Sequence, residues 1–236
     1  LYRIQPLSAK IKTASADVNT EPTEAQKEAG NYKKGHVQVG TFDITIEQPQ
    51  GSVRKGTDAN GKQWESKMHN TYGYFRGTEG VDGDHIDVFL SNDIDGWNGR
   101  KVYVVDQYNP DGTFDEHKVM LGFNDMDEAK SDYLANYEKG WEDGRRIVVS
   151  TTNLEYFEKW IDSSHRKTKP FAEYAGVKKE TVASSPAKED TAAPTTENAD
   201  NAAYTITPTT YTNKKGKTSD VSLLTFDGAL TADQEP

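Results

Sequence analysis

Phe42-Asp43-Ile44-Thr45-Ile46-Glu47 alternates large apolar side chains with polar ones, the two-residue period of a strand with one face in a core and the other toward water. This puts Phe42, Ile44 and Ile46 inside and leaves Glu47 on the polar face with Asp43 and Thr45. Further along the chain, strands are expected at His85 to Leu90, Lys101 to Asp106, His117 to Leu121 and Arg146 to Ser150. They are set off by turn formers such as Asn109-Pro110-Asp111-Gly112. Two helices interrupt them. One opens with Asp125 and Glu128 in capping-box spacing and turns Met126, Tyr133 and Tyr137 to one side. The other opens with Thr152 and Glu155 and carries Leu154, Phe157 and Ile161 on one stripe. Strands first, helices late and short loops predict an α+β domain, a small OB-like five-stranded β-barrel with flanking helices.

Towards the N-terminus a short helix is expected, started by Pro22, built from Glu24 to Ala29 and ended by Gly30. Residues 1–21 show no sustained period and read as a connector or tail. The domain is thus expected over 22–176. Residues 177–203 are Ala, Thr, Ser, Pro, Glu, Asp and Lys with almost no large apolar side chain. That is too little to offset the entropy of ordering them, so a disordered linker is expected. Beyond it, Tyr204 to Tyr211 and Val221 to Phe226 flank Asn213-Lys214-Lys215-Gly216 as a hairpin. Residues 204–236 therefore read as a short β-rich segment, a hairpin or part of another domain, which as two strands alone is marginally stable and calls for the rest of a larger protein.

A chain of 236 residues holds one core with tails, and a hydrophobic share of only 33% fits polar segments diluting a normal domain. With 28 basic and 38 acidic residues the net charge is -10, which argues against direct nucleic-acid binding or an anionic membrane surface as partner. The absence of cysteine removes disulfides, thiolate zinc sites and cysteine nucleophiles. His36, His69, His85, His117 and His165 show no HExxH spacing. No apolar stretch approaches the ~18 residues of a membrane helix and no signal pattern opens the chain, so a cytoplasmic location is expected. Leucine rather than methionine at position 1 fits a piece excised from something longer.

The sharpest feature is Asp82-Gly83-Asp84-His85-Ile86-Asp87-Val88-Phe89. Carboxylates so close repel unless water screens or cations neutralise them. Gly83 lets the chain turn before the strand, so Asp82, Asp84 and Asp87 are expected to converge. Oxygen ligands of this kind suit Mg2+, with Mn2+ as the alternative. The plain reading is an acidic turn before a strand. An EF-hand loop fails, with Ile86 at its fifth position, no glycine at the sixth and Asp93 at the twelfth. A second acidic set, Asp111, Asp115 and Glu116, precedes another strand and is followed by Lys118. Arg54, Lys67, Tyr72, Tyr137 and Lys139 add cations and hydroxyls, the other half of a phosphoryl-transfer site.

The string DGDHIDVF resembles the signature of the family I soluble inorganic pyrophosphatases. Ile46-Glu47-Gln48-Pro49, Val53-Arg54 and Tyr72-Gly73-Tyr74 are similar to that family's neighbouring motifs in order. Asp111 through Lys118 resembles its second acidic run, with Glu116 where the family has aspartate. Gly56 stands where the family usually has glutamate, Lys67 where it has arginine, and Glu138 after Tyr137 where it has lysine, so Lys139 would serve instead. The run Glu24 to Tyr32 with Lys34-Gly35-His36 resembles pyrophosphatase-like domains within large multi-domain proteins of phages and conjugative elements.

The resemblance implies Mg-dependent hydrolysis of a phosphoanhydride, most simply pyrophosphate to phosphate, on a small phosphorylated substrate. It implies metal ligation by Asp82, Asp87 and Glu116, with Asp111, Asp115 and Glu47 as further candidates. Asp84 is implied as the base for the attacking water. Arg54, Lys67, Tyr72, Lys118, Tyr137 and Lys139 would hold phosphate oxygens. The alternative is a catalytically silent module of a mobile-element protein that binds a metal-nucleotide or a host protein. The oligomeric state is left open.

Overall fold

The computed structural model describes residues 5–57, 61–142, 145–164 and 168–174, and the backbone of 196–199, 202–212 and 218–226. Strand β2 (Phe42–Gln48) lies where the alternation puts it, although Thr45 of its polar face is buried as well, and Ile44 and Ile46 are wholly out of solvent. Each such side chain contributes roughly 1.5–3 kcal/mol by leaving water. β2 runs antiparallel to β1 (Gly35–Val39) on one side and β5 (Thr71–Phe75) on the other. β5 pairs antiparallel with β6 (Asp87–Leu90), and β6 pairs parallel with β8 (Phe114–Leu121). Then β7 (Lys101–Tyr108) joins β8 to β9 (Ile147–Asn153), antiparallel to both. β3 (Val53–Thr57) and β4 (Gln63–Lys67) form a separate hairpin.

The sheet does not stop at β9. β12 (Thr218–Phe226) runs parallel to it at Leu223 and Leu224, followed by β11 (Ala202–Thr212) and β10 (Thr196–Ala199). The strands of the expected C-terminal hairpin thus pair with each other and add to the domain's sheet. The pairing order runs from β1 to β10 without returning on itself. The closed five-stranded barrel expected from the sequence is therefore not found among the described residues, because β12 covers the edge of β9 that closure would need. The fold is α+β with a large, mostly antiparallel sheet. β10 falls inside the stretch read as a linker; the remainder of 177–201 and the turn at 213–217 lie outside the described residues.

Helix α1 (Leu7–Ser15) lies within the stretch read as a connector, with Ile11 in the core and Leu7, Ala14 and Val18 packed against it. α2 (Glu24–Ala29) spans the residues expected to build it, with Pro22 two residues ahead of its first turn. Thr23 caps it, exchanging bonds with Gln26 in a capping box, and Gly30 ends it at φ 63°. α3 (Met126–Ala135) is capped by Asp125, which accepts from the Glu128 amide. α4 (Leu154–Asp162) is capped by Asn153 rather than Thr152, since Thr152 is still held extended opposite Val102 in the β7–β9 ladder.

Alternation along the strands divides the core. Val88, Leu90, Val102, Val104, Val119 and Leu121 face Phe157, Trp160 and Ile161 of α4 and Phe171 of α5 (Phe171–Tyr174). Phe89, Tyr103, Val105 and Met120 face Ala129 and Tyr133 of α3. Asp87 stands two residues from Phe89, and Lys118 and Glu116 two and four residues from Met120, on this second face. Gly73 is required where β5 crosses β2, because a Cβ there would come within 1.8 Å of the Thr45 carbonyl oxygen.

On the first face, Asp106 is fully buried and accepts the amides of Phe171 (2.8 Å) and Ala172 (3.0 Å) at the start of α5. Burial pushes its carboxyl up to about 7, although those amides favour the anion. A raised carboxyl contributes stability below its unfolded value of 3.8 and loses it as pH rises through about 7. His117, 3.6 Å away, is pulled down by burial to about 4 and acts in the opposite sense, favouring the fold above 6.5. Asp106→Asn is expected to cost about 1–3 kcal/mol, because one backbone amide loses its acceptor. It should also abolish the Asp106 part of the stability change between about pH 4 and 7. Urea melts of both proteins across that range check this.

Candidate active site

The parallel β6–β8 ladder sets Asp87 directly opposite Lys118, and chemistry gathers around this rung. The Lys118 side chain, only 4% exposed, donates both to Asp87 Oδ2 and, at 2.7 Å, to Glu116 Oε2. Tyr72, from the neighbouring strand, donates its hydroxyl to the same Asp87 oxygen at 2.5 Å. Burial alone would pull the Lys118 ammonium down. Asp87, Tyr72 and Glu116 reverse this, and it stands well above the ordinary lysine range. Burial pushes the Glu116 carboxyl up against the pull of Lys118, and pushes the Tyr72 phenol far up with Asp87 adding to it.

Gln107 organises the second half. Its Nε2 donates to Asp115 Oδ2 (2.7 Å) and Glu116 Oε1 (3.1 Å). Its Oε1 accepts the hydroxyls of Tyr133 (2.8 Å) and Tyr137 (3.3 Å). Tyr137 is stacked on Trp141 at 3.9 Å. The Arg54 guanidinium lies 4.7 Å from the Tyr72 ring and 5.6 Å from the Trp64 ring. Four of the residues named from the sequence, Asp87, Glu116, Lys118 and Tyr72, therefore meet in one bonded cluster, with Arg54 over Tyr72 and Asp115 and Tyr137 tied in through Gln107.

Others stand apart. Asp82 and Asp84 are exposed in the turn before β6, where Asp82 Oδ1 accepts the Asp84 amide at 3.1 Å. Asp111 is exposed and folds back on Thr113, accepting its amide (2.9 Å) and hydroxyl (2.6 Å) on Oδ1 in an Asx turn. Lys67 and Lys139 are exposed and make none of the cluster's bonds. Glu47 is the extra residue of a β-bulge, because the β2–β5 register shifts between Ile46 and Gln48. Its Oε1 accepts from Lys34 (2.7 Å) and Tyr32 (2.6 Å). Lys34 also reaches Tyr74 (3.3 Å), whose ring stacks on His85 at 4.4 Å.

Gln107, Tyr133, Lys34 and Tyr32 were not among the sequence candidates. Only Gln107 carries a local signal, sharing the face of Tyr103 and Val105 along β7.

Among the described residues no three His, Asp or Glu side chains converge to hold a metal ion. What does fit a hard cation is the pair Asp87 and Glu116, two carboxylates already sharing one positive charge, that of Lys118. One or two carboxylates, completed by waters and substrate phosphates, are a usual magnesium donor set. Among the described residues no helix is long and apolar enough to cross a membrane.

Comparison with known proteins follows this geometry. The chain is similar in structure to an inorganic pyrophosphatase from Coxiella burnetii, with 15% identity, TM-score 0.32, and 50% of this chain and 89% of that one covered. It is also similar to a protein described as an inorganic phosphatase from Anaplasma phagocytophilum, with 16% identity, TM-score 0.32, and 61% and 95% covered. A search of curated proteins gives no match. The family model described as Inorganic Pyrophosphatase matches residues 24–162, more than half of the 236 and spanning every member of the cluster. The chain belongs to the inorganic pyrophosphatase family and is a pyrophosphatase-like hydrolase.

Proposed function

We propose that the chain hydrolyses inorganic pyrophosphate to phosphate in a magnesium-dependent reaction, with Asp87 and Glu116 as the carboxylates that hold the ion and Asp115 beside them. The observation that supports this most directly is the shared Lys118 cation between those two side chains. Bound magnesium supplies a water of lowered pKa and offsets charge on the phosphates. The side chains do the rest. Asp84, exposed and free of any carboxylate bond within the cluster, takes the proton of the attacking water. Asp82, joined to it through one backbone amide, orients the turn and adds negative charge for the metal. Arg54, Lys118, Tyr72 and Tyr137 stabilise charge on the phosphate oxygens, and Lys67 and Lys139 can swing in from the surface. Asp111 and Glu47 serve as outlying acidic groups, Glu47 through Lys34.

Phosphate release from pyrophosphate with magnesium present and after chelation is the test. Release that persists undiminished in excess chelator would remove the magnesium requirement, and no release under any divalent ion would leave a silent binding module as the better account. Calorimetric titration makes the metal assignment specific. Asp87→Asn is expected to weaken magnesium binding about tenfold or more and Asp82→Asn less, since only Asp87 lies within the bonded cluster. Equal, unchanged affinity in both variants would show that neither carboxylate holds the ion.

A further inference from the structure

We propose that this site accepts pyrophosphate esterified at one end by a nucleoside, so that nucleoside diphosphates are its substrate class; the proposal rests on the hydrolase reading for the reaction itself. A cleft of about 450 Å³ opens beside the cluster, lined among others by Tyr72, Arg54, Trp64, Tyr32 and Glu47. That is the size of pockets that enclose a whole organic ligand, which run from about 300 to 1,000 Å³. A bare pyrophosphate fills a small part of it. Tyr72 belongs to both regions: it lines the cleft and its hydroxyl bonds Asp87. A phosphoanhydride held at Asp87 therefore has open space to one side.

The wall of that space is built for an aromatic ring. Trp64 is half-buried on β4 opposite Gly56 on β3. A Cβ at position 56 would stand 2.4 Å from the indole Cζ2 and 2.6 Å from Cε2, so the ring lies against the bare backbone of its partner strand. Glycine here is what allows the indole to lie down across the hairpin. With Arg54 between Trp64 and Tyr72, the cleft has an aromatic face, then a cation, then the hydroxyl bonded to Asp87. A base on the indole, a diphosphate at Arg54 and the reacting phosphorus near Asp87 follow the same order. Tyr32 and Glu47, hydrogen-bonded to each other and also lining the cleft, offer polar partners to a ribose.

In the reaction the oxygen of water bonds to the terminal phosphorus and the bridging P–O bond breaks. The bond's electrons leave on the bridging oxygen with the nucleoside monophosphate. One water proton passes through Asp84 to solvent and the other stays on the released phosphate.

The experiment measures two things with magnesium present: phosphate release from adenosine and uridine diphosphate against pyrophosphate, and equilibrium dialysis of the same nucleotides. The intact chain is expected to bind and hydrolyse both nucleotides. Trp64→Ala should lower the ratio of kcat/KM for nucleoside diphosphate to that for pyrophosphate by about 5- to 100-fold, the scale of losing one base stack. The loss should fall on KM, and Trp64→Phe should restore most of it. Gly56→Ala, which forces the indole to move without removing it, should shift the ratio the same way. Pyrophosphate hydrolysis with no nucleotide bound or cleaved, or a Trp64→Ala loss equal for both substrates, overturns the proposal and leaves the hydrolase reading standing. Trp64-dependent nucleotide binding without phosphate release from anything overturns the hydrolase reading and keeps the occupant of the cleft. If neither binding nor release is seen, both fall.

Discussion

Asp84→Asn lowers kcat for pyrophosphate by about 10²- to 10⁴-fold, the usual contribution of a general base, while the melting temperature stays close to that of the parent. The two halves of this expectation have separate grounds. Asp84 is exposed, and the contacts of its turn run through backbone groups, the Asp84 amide to Asp82 Oδ1 and the Gly80 amide to the Asp84 carbonyl. The side-chain charge therefore does little for the fold. If it takes the proton of the attacking water, its loss acts on the transition state, and kcat falls with little change in KM. Steady-state kinetics with a thermal melt on the same preparation decide the matter. An unchanged kcat would move the base elsewhere, with Asp82 the next candidate by position.

Lys118→Met is the opposite kind of experiment. Lys118 is 3% exposed and is the ammonium shared by Asp87 and Glu116. Removing one partner from a buried ion network costs about 3–5 kcal/mol because the remaining charges stay desolvated. Here two carboxylates would also face one another, so each becomes harder to ionise in the folded state. The Glu116 carboxyl, already pushed up by burial, would lose the opposing pull of Lys118 and rise further, and the sign follows: the variant approaches the parent at low pH, where that carboxyl is protonated, and falls behind as pH rises through its folded value. Denaturant melts at acidic and neutral pH should show the gap widening upward. Added magnesium should narrow it at neutral pH if Asp87 and Glu116 hold the ion, since a bound ligand stabilises the state it binds. A gap independent of both pH and magnesium would mean that the ammonium does not balance those carboxylates.

How much of this was legible in the sequence depends on whether each signal is local. The alternation of Phe42, Ile44 and Ile46 is local, and β2 follows it. The capping of α3 by Asp125 is local and holds as well. α1 was missed although Leu7, Ile11, Ala14 and Val18 have helical spacing, because the lysines and small polar residues between them weaken the apolar stripe that packs on β1 and β2. Asp87, Glu116 and Lys118 could be named by type, but their meeting is the work of a parallel ladder between distant segments. Gln107 and Tyr133 come together from β7 and α3 in the same non-local way. Asp111 shows the converse, a local contact, since its Oδ1 accepts the amide and hydroxyl of Thr113 within the same turn. The barrel expectation is not confirmed for a similar reason: strand positions along a chain do not say where a sheet's edges end, and β12 adds to β9 from more than sixty residues away.

The Asp87–Lys118 rung also settles a problem of alignment during folding. A slip of one residue between β6 and β8 would exchange the two faces of β6, sending Val88 and Leu90 into the core under α3 and Phe89 into the core under α4, each against side chains packed for the other. A slip of two keeps Val88, Phe89 and Leu90 on their proper faces, so burial scarcely distinguishes it from the native pairing. In that frame Asp87 would stand beside either Met120 or Glu116, against apolar surface or against its own sign, instead of the ammonium that now answers it. The charged pair thus acts as a vernier mark on the β6–β8 ladder, reading the two-residue error that the hydrophobic pattern leaves unread.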